Sequence, residues 1–161
     1  MGLCSAGAQA GVDGLVRTRA SVTELYVQAG VGPGGAALGQ AHKALAGAAA
    51  LLAEHNAVIL RERIFATPSA RKTVAAARIS EMGHLDDGVE PTWLIAPGDH
   101  AAASVQIHAV AGCGRPRVLA VDGVPCGRLV SSGDGCWLFG SNISAPGDGG
   151  PAAQAQAMFA R

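Results

Sequence analysis

The chain has 161 residues, of which 49% are hydrophobic and 15% charged, so the sequence predicts one packed globular domain, or one domain and a fragment. Twelve basic side chains balance twelve acidic ones, and we therefore expect no general attraction to nucleic acid or to an anionic membrane. No apolar run approaches the roughly 20 residues that a membrane span needs. The four cysteines lack metal-ligand spacing, and we expect reduced thiols in a cytoplasmic protein.

Strands and helices alternate along the first part of the chain. Apolar residues recur at helical spacing from Leu38, and Asn56 suits the left-handed conformation that ends a helix. Thr67 followed by Pro68 is typical of a second helix start. The predicted elements are strands near 14–19, 23–29, 57–66, 91–96 and 103–111, a helix near 37–55, and a helix near 68–82 that buries Ala75, Ile79 and Met82.

The segment AVILRERIFAT has the period-two pattern of a strand with two different faces. The alternation predicts that Val58, Leu60 and Ile64 point to one face. Arg61, Arg63 and Phe65 are predicted to point to the other face. The two arginines would then stand side by side.

The stretch YVQAGVGPGG carries G-x-G-x-x-G at Gly30, Gly32 and Gly35, which is typical of a dinucleotide-binding turn. Such a turn should be followed by a strand that ends in an acidic residue, but Glu54 stands at the end of a helix. The corresponding corner of a later repeat, SNISAPGDGG, also lacks the G-x-G-x-x-G pattern. We interpret the glycines as a chain reversal, and dinucleotide binding is a remote alternative.

The last part of the chain repeats the plan of TELYVQAGVGPGGAALGQAHKAL as GDGCWLFGSNISAPGDGGPAAQAQAMF. Asp134-Gly135 predicts a hairpin between strands at 128–132 and 136–141, followed by a helix over 152–161. Half a sheet cannot bury a core alone, so either the reading frame is truncated or this piece packs onto the first domain. The expected segments are a tail (1–14), a domain (15–112), a linker (113–127) and a partial second copy (128–161).

The stretches ELYVQAG, GQAHKALAGAAALLAEH, VILRERIFAT and VQIHAVAG resemble the Rid/YjgF family, once called L-PSP endoribonucleases. The tandem arrangement is similar to two-domain relatives that include the chorismatase group of hydrolases. The resemblance implies an α+β, chorismate-mutase-like fold, in which a sheet carries two helices on one face. It also implies a homo-oligomer, a trimer or pseudo-trimer with clefts between neighbours.

Active members of that family hydrolyse enamines and imines derived from amino acids. The resemblance implies an arginine early in the penultimate strand that grips the substrate carboxylate, but Pro91 stands about there. It also implies a water-positioning glutamate in the last strand, where this chain has Gln106. The expected function is therefore hydrolase-type action on, or binding of, a small carboxylate metabolite by a degenerate site. The alternatives are a non-catalytic small-ligand-binding protein and a degenerate fragment.

Five residues are candidates for such a site. Gln106 and His108 share a strand face and are the candidate catalytic residues, although His108 could instead be a half-exposed residue with one hydrogen bond. Arg61 and Arg63 could bind an anion, or could be surface cations paired with carboxylates. Trp93 could stack on a ligand or belong to the core. We expect no metal and no cofactor.

Overall fold

The computed structural model describes residues 4–9, 12–19, 22–30, 37–95, 103–133 and 135–141, together with helical residues at 152, 153 and 156. A 3₁₀ turn, Gly83–Leu85, follows the second helix. The elements are β1 (Cys4–Gln9), β2 (Val12–Arg19), β3 (Val22–Gly30), α1 (Ala37–Glu54), β4 (Val58–Ala66), α2 (Arg71–Met82), β5 (Thr92–Ile95), β6 (Ala103–Ala111), β7 (Arg117–Val121), β8 (Val124–Ser132) and β9 (Gly135–Gly140).

The described strands form two sheets, and the chain has α+β architecture. The larger sheet has the order β1-β2-β3-β6-β4-β5, and its pairs are antiparallel except for β4 with β5. The smaller sheet is antiparallel, in the order β7-β8-β9. Dinucleotide binding of the kind considered above needs a mainly parallel sheet, so this topology contradicts that alternative. Gly30 ends β3, whereas Gly32 and Gly35 lie outside the described residues.

One face of the larger sheet carries both helices over a core of small aliphatic side chains. The predicted buried face of α1 is confirmed at Ala41, Leu45, Ala48 and Leu52, while the side chain of Leu38 lies outside the described residues. Asn56 has a φ of 48°, so it ends the helix in the predicted left-handed conformation. The sheet contributes Leu25, Val27, Ala29, Ile59, Ile64, Val105, Ile107 and Ala109 to this core.

The buried face of α2 differs from the prediction. Ile79 is 66% exposed, and the buried residues of the helix are Val74, Ala77, Arg78 and Met82. Arg78 turns inward because its Nε and Nη2 atoms donate to both carboxylate oxygens of Glu62 on β4, at 2.9–3.0 Å. This ion pair rotates the helix away from the stripe that hydrophobicity alone indicates.

The start of α2 also differs from the prediction. The helix begins at Arg71, and residues 68–70 form a turn before it. The Thr67 hydroxyl accepts a hydrogen bond of 3.3 Å from the Ala70 N–H, and the Thr67 carbonyl accepts from the N–H groups of Ala70 and Arg71. Thr67 thus caps the turn rather than the helix itself.

Strand β4 contains a β-bulge that corrects the predicted alternation. Ile59 pairs with Ala109 of β6, but Arg61 already pairs with the next residue, His108, so Leu60 is the extra residue. Leu60 and Val58 contact a second apolar cluster on the sheet face opposite the helices. They therefore share a face with Arg61 and Arg63, and not with Ile64 as the alternation predicted. We call the face opposite the helices the open face.

The smaller sheet covers one end of the open face. Its Val130 is buried against Val22, Leu60 and Val110 of the larger sheet, with Trp137 and Phe139 packed beside them. The predicted hairpin is confirmed by the pairing of β8 with β9. Strand β7 lies within the predicted linker (113–127), and strand β1 lies within the predicted tail (1–14). The predicted helix over 152–161 lies mostly outside the described residues.

Arg128 of β8 ties the smaller sheet to the segment that follows α2. Its guanidinium donates two hydrogen bonds of 2.6 Å to the Asp87 carboxylate and one of 3.2 Å to the Val89 carbonyl. Burial alone would raise the pKa of Asp87, but the hydrogen bonds and charge of Arg128 lower it below its ordinary value. Ser141 adds a hydrogen bond of 2.6 Å to the Glu90 carbonyl. The smaller sheet is thus an integral part of the described fold.

Gly127 should tolerate no side chain, because β8 and β9 approach closely at this point. A Cβ atom at Gly127 would lie 2.7 Å from the Phe139 carbonyl oxygen, whereas one at Gly135 would meet nothing within 4 Å. We expect Gly127→Ala to lower the free energy of unfolding by about 1–3 kcal/mol. The matched control Gly135→Ala should be neutral or slightly stabilising. Urea denaturation of both variants measures the difference, and equal stabilities would contradict this packing.

Candidate functional site

The uncovered part of the open face forms a groove with a volume of about 480 Å³. Four strands supply its floor, and the strand register arranges the side chains in two rows across them. The first row is Asp13, Gln28, Gln106 and Arg63, and the second is Leu15, Tyr26, His108 and Arg61. Phe139 of the smaller sheet forms a wall at one end. The groove therefore combines residues from both sheets.

Arg61 and Arg63 place two cations along one side of the groove. Within the described part of the chain, neither has a carboxylate within 4 Å, in contrast to the surface ion pairs considered as an alternative. The Nε atom of Arg61 is buried and has no hydrogen-bond partner among those residues. Burial and the charge of Arg63 lower the pKa of Arg61. Among the described residues, this pair of cations therefore has no anionic partner.

His108 is packed between two aromatic rings. It stacks on Tyr26 with ring centres 4.4 Å apart and meets the Phe139 ring edge to face at 5.3 Å. Its side chain is 16% exposed, and its buried Nε2 lies 3.5 Å from a Glu24 oxygen without forming a hydrogen bond. Burial lowers the pKa of His108, Glu24 partly opposes this, and Arg61 adds to it. The ring is therefore neutral at pH 7 and serves mainly as part of the floor.

Tyr26 and Glu24 fix the position of this ring. The Tyr26 hydroxyl donates a hydrogen bond of 2.6 Å to Glu24, which together with burial raises the pKa of Tyr26 to about 12. Tyr26 consequently keeps its proton throughout the physiological range. Sequence reasoning missed both residues, although they share a strand face at period two and pair directly with β6.

The structure brings four of the five candidates together and separates the fifth. Arg61, Arg63, Gln106 and His108 line the groove. Trp93 pairs with Ile64, which faces the helices, so the indole packs on the opposite side of the sheet. There it borders a separate depression of about 420 Å³, and the Arg71 guanidinium lies 5.2 Å from the ring centre. Strand alternation therefore places Trp93 away from the groove, on the helix side of the sheet.

Several groove residues could have been found only from strand pairing. Asp13, Leu15 and Gln28 come from the β2–β3 hairpin, and each reaches the groove because its strand pairs in a particular register. Phe139 comes from the smaller sheet and is far from the others in sequence. Their only sequence signal is period-two spacing, which does not state which strands are neighbours.

No protein-family model and no curated protein matches this chain. Across the described ranges, no group of three or more histidine, cysteine, aspartate or glutamate side chains could hold a metal ion. No helix of that same part is long and apolar enough to cross a membrane. Functional inference therefore depends on the groove itself.

Proposed function

We propose that this chain is a Rid/YjgF-like protein that binds a small carboxylate metabolite in the groove of the open face. The observation that carries the proposal is the Arg61–Arg63 pair, which has no carboxylate partner within the described residues and includes a buried, unbonded Nε. A buried donor without a partner costs free energy, and a carboxylate can accept two parallel hydrogen bonds from one guanidinium. A ligand carboxylate would supply the missing acceptor and neutralise the like charges.

The architecture supports the family part of the proposal. Two helices on one face of a sheet is the arrangement that the sequence resemblance implies. The β8–β9 hairpin follows the strand plan expected for a partial second copy. Its Phe139 provides part of the cleft wall.

Hydrolysis of an imine or enamine is the second candidate, since Gln106 and His108 both face the groove. A glutamine amide can orient water but cannot accept its proton. His108 has a lowered pKa and a buried Nε2, and buried Pro91 stands where the resemblance implies a carboxylate-binding arginine. These residues favour binding over turnover.

Carboxylate binding should be visible as thermal stabilisation. We expect benzoate, as a representative small carboxylate, to raise the melting temperature of the wild type, because a ligand that binds only the folded state adds about 2.7 kcal/mol at 100 times its Kd. Benzamide, the neutral isostere, should not. The double variant Arg61→Gln/Arg63→Gln should lose the shift, whereas Arg71→Gln on the opposite side of the sheet should keep it.

An equal shift in the double variant would contradict this site. The same preparations distinguish binding from turnover when 2-aminoacrylate is generated in situ and its decay is followed. We expect decay close to the buffer rate. Acceleration that Gln106→Ala abolishes would favour the hydrolase candidate instead.

A further inference from the structure

The groove has opposite charges at its two ends. The register joins Asp13 to Gln28, Gln28 to Gln106, and Gln106 to Arg63, so a single row crosses four neighbouring strands. All four residues line the same groove. The row begins with a carboxylate, continues through two amides and ends with a guanidinium. A ligand that lies along this row meets one charge of each sign.

We infer that the groove takes a zwitterion whose amino group binds Asp13 and whose carboxylate binds Arg61 and Arg63. This inference rests on the proposed function and names its ligand class. Among the described residues, the Asp13 carboxylate has no ion-pair or hydrogen-bond partner, so it is available to an ammonium group. Asp13 is exposed, so its contribution is that of a surface ion pair rather than a buried one.

The middle of the groove suits a ligand that has polar backbone groups on one side and apolar groups on the other. Gln28 and Gln106 each offer an amide donor and an acceptor, and both can pair with a peptide group. The adjoining row exposes the apolar surfaces of Leu15 and Tyr26, which are 44% and 42% exposed. Methylene or methyl groups of a ligand can cover these surfaces while its charged ends reach Asp13 at one end of the groove and the two arginines at the other.

The spacing of the strands sets the length of the ligand. Asp13 and Arg63 are separated by three inter-strand steps, about 14 Å at their backbones. The long Arg63 side chain can lean back over Gln106, so the charges of the ligand would be roughly 8–10 Å apart, which is about the reach of three extended residues. A tripeptide and a linear eight-carbon ω-amino acid both meet this requirement.

Matched pairs of ligands test the inference by isothermal titration calorimetry. Trialanine and 8-aminooctanoate are each compared with their N-acetylated forms, which keep the carboxylate and lose the positive charge. We expect each free amine to bind about fivefold more tightly than its acetylated form, as an exposed ion pair allows. Asp13→Asn should abolish this ratio without weakening the acetylated ligands. Glu54→Gln, which removes an exposed carboxylate on α1, should leave the ratio unchanged.

The outcomes separate this inference from the proposed function. Equal binding of free and acetylated ligands, unchanged by Asp13→Asn, would overturn the inference while carboxylate binding stands. No binding by any of the four ligands or by benzoate would overturn both. A preference for trialanine over 8-aminooctanoate would support a peptide ligand of this class, and the reverse order would support an aliphatic ω-amino acid.

Discussion

Replacement of Glu62 by alanine is expected to lower the free energy of unfolding by about 3–5 kcal/mol, because it leaves the buried guanidinium of Arg78 without its bidentate partner. The Glu62 side chain is fully buried, and that of Arg78 nearly so. Asp86, the other carboxylate near Arg78, lies 3.6 Å from Nη1 and is partly exposed, so it cannot replace the lost interaction. Denaturation in guanidinium chloride, followed by circular dichroism, measures the decrease in the free energy of unfolding.

Two further variants show whether the loss comes from the unpaired charge. Glu62→Leu combined with Arg78→Met removes both charges and should recover most of the stability, since apolar residues of similar volume often replace a buried pair at little cost. Glu54→Ala removes an exposed carboxylate from α1 and should change stability by less than about 0.5 kcal/mol. If the double variant is no more stable than Glu62→Ala, the explanation by an unpaired cation is wrong.

Replacement of Arg128 by alanine is expected to lower the free energy of unfolding by about 2–4 kcal/mol and to loosen the smaller sheet. The loss removes the guanidinium donor from the Val89 carbonyl and from the Asp87 carboxylate, which keeps a hydrogen bond of 3.1 Å from the Val89 N–H. The expected decrease in the free energy of unfolding is smaller than for Glu62→Ala, because the Asp87 side chain is 25% exposed and water can partly solvate it. Hydrogen exchange should show faster exchange in β7–β9, whereas α1 should keep its protection. Uniform loss of protection throughout the chain would contradict a local anchor.

The same ion pair should give a distinctive dependence on pH. Because Arg128 holds the pKa of Asp87 below its ordinary 3.8, the folded state binds fewer protons there than the unfolded state. The contribution of the pair is therefore complete above about pH 3.8 and is lost as the pH falls through the lowered value. The stability difference between the wild type and Asp87→Asn should shrink over that range. A difference that stays constant as the pH falls would contradict this role of the ion pair.

Local sequence patterns predicted the order of the main elements and the buried face of α1. They failed where a contact between distant segments overrides periodicity. The ion pair with Glu62 draws Arg78 inward and leaves Ile79 exposed, although hydrophobicity alone predicts the opposite. The bulge at Leu60 arises from pairing with β6, and nothing in the β4 sequence itself marks the extra residue.

The candidate site was predictable to the extent that its residues are close in sequence. Gln106 with His108, and Arg61 with Arg63, are two residues apart on a strand, so each pair was expected to share a face. The joining of these pairs in one groove depends on β4 lying beside β6, and the opposite charge of Asp13 depends on two further strand registers. Trp93 was misplaced because its orientation follows from its pairing with β4.

The bulge in β4 also decides which sign of charge this strand offers to a ligand in the groove. If the residues from Val58 to Ala66 paired with β6 in an uninterrupted ladder from Ile59 onward, Arg61 and Arg63 would lie beneath the helices. The Glu62 carboxylate would then point into the groove and make it anionic. The number of residues between Ile59, which packs in the core, and the charged residues of β4 therefore decides whether the groove favours anions or cations. A change of one residue in strand length, if no bulge absorbs it, could convert one selectivity into the other during evolution without any charge substitution.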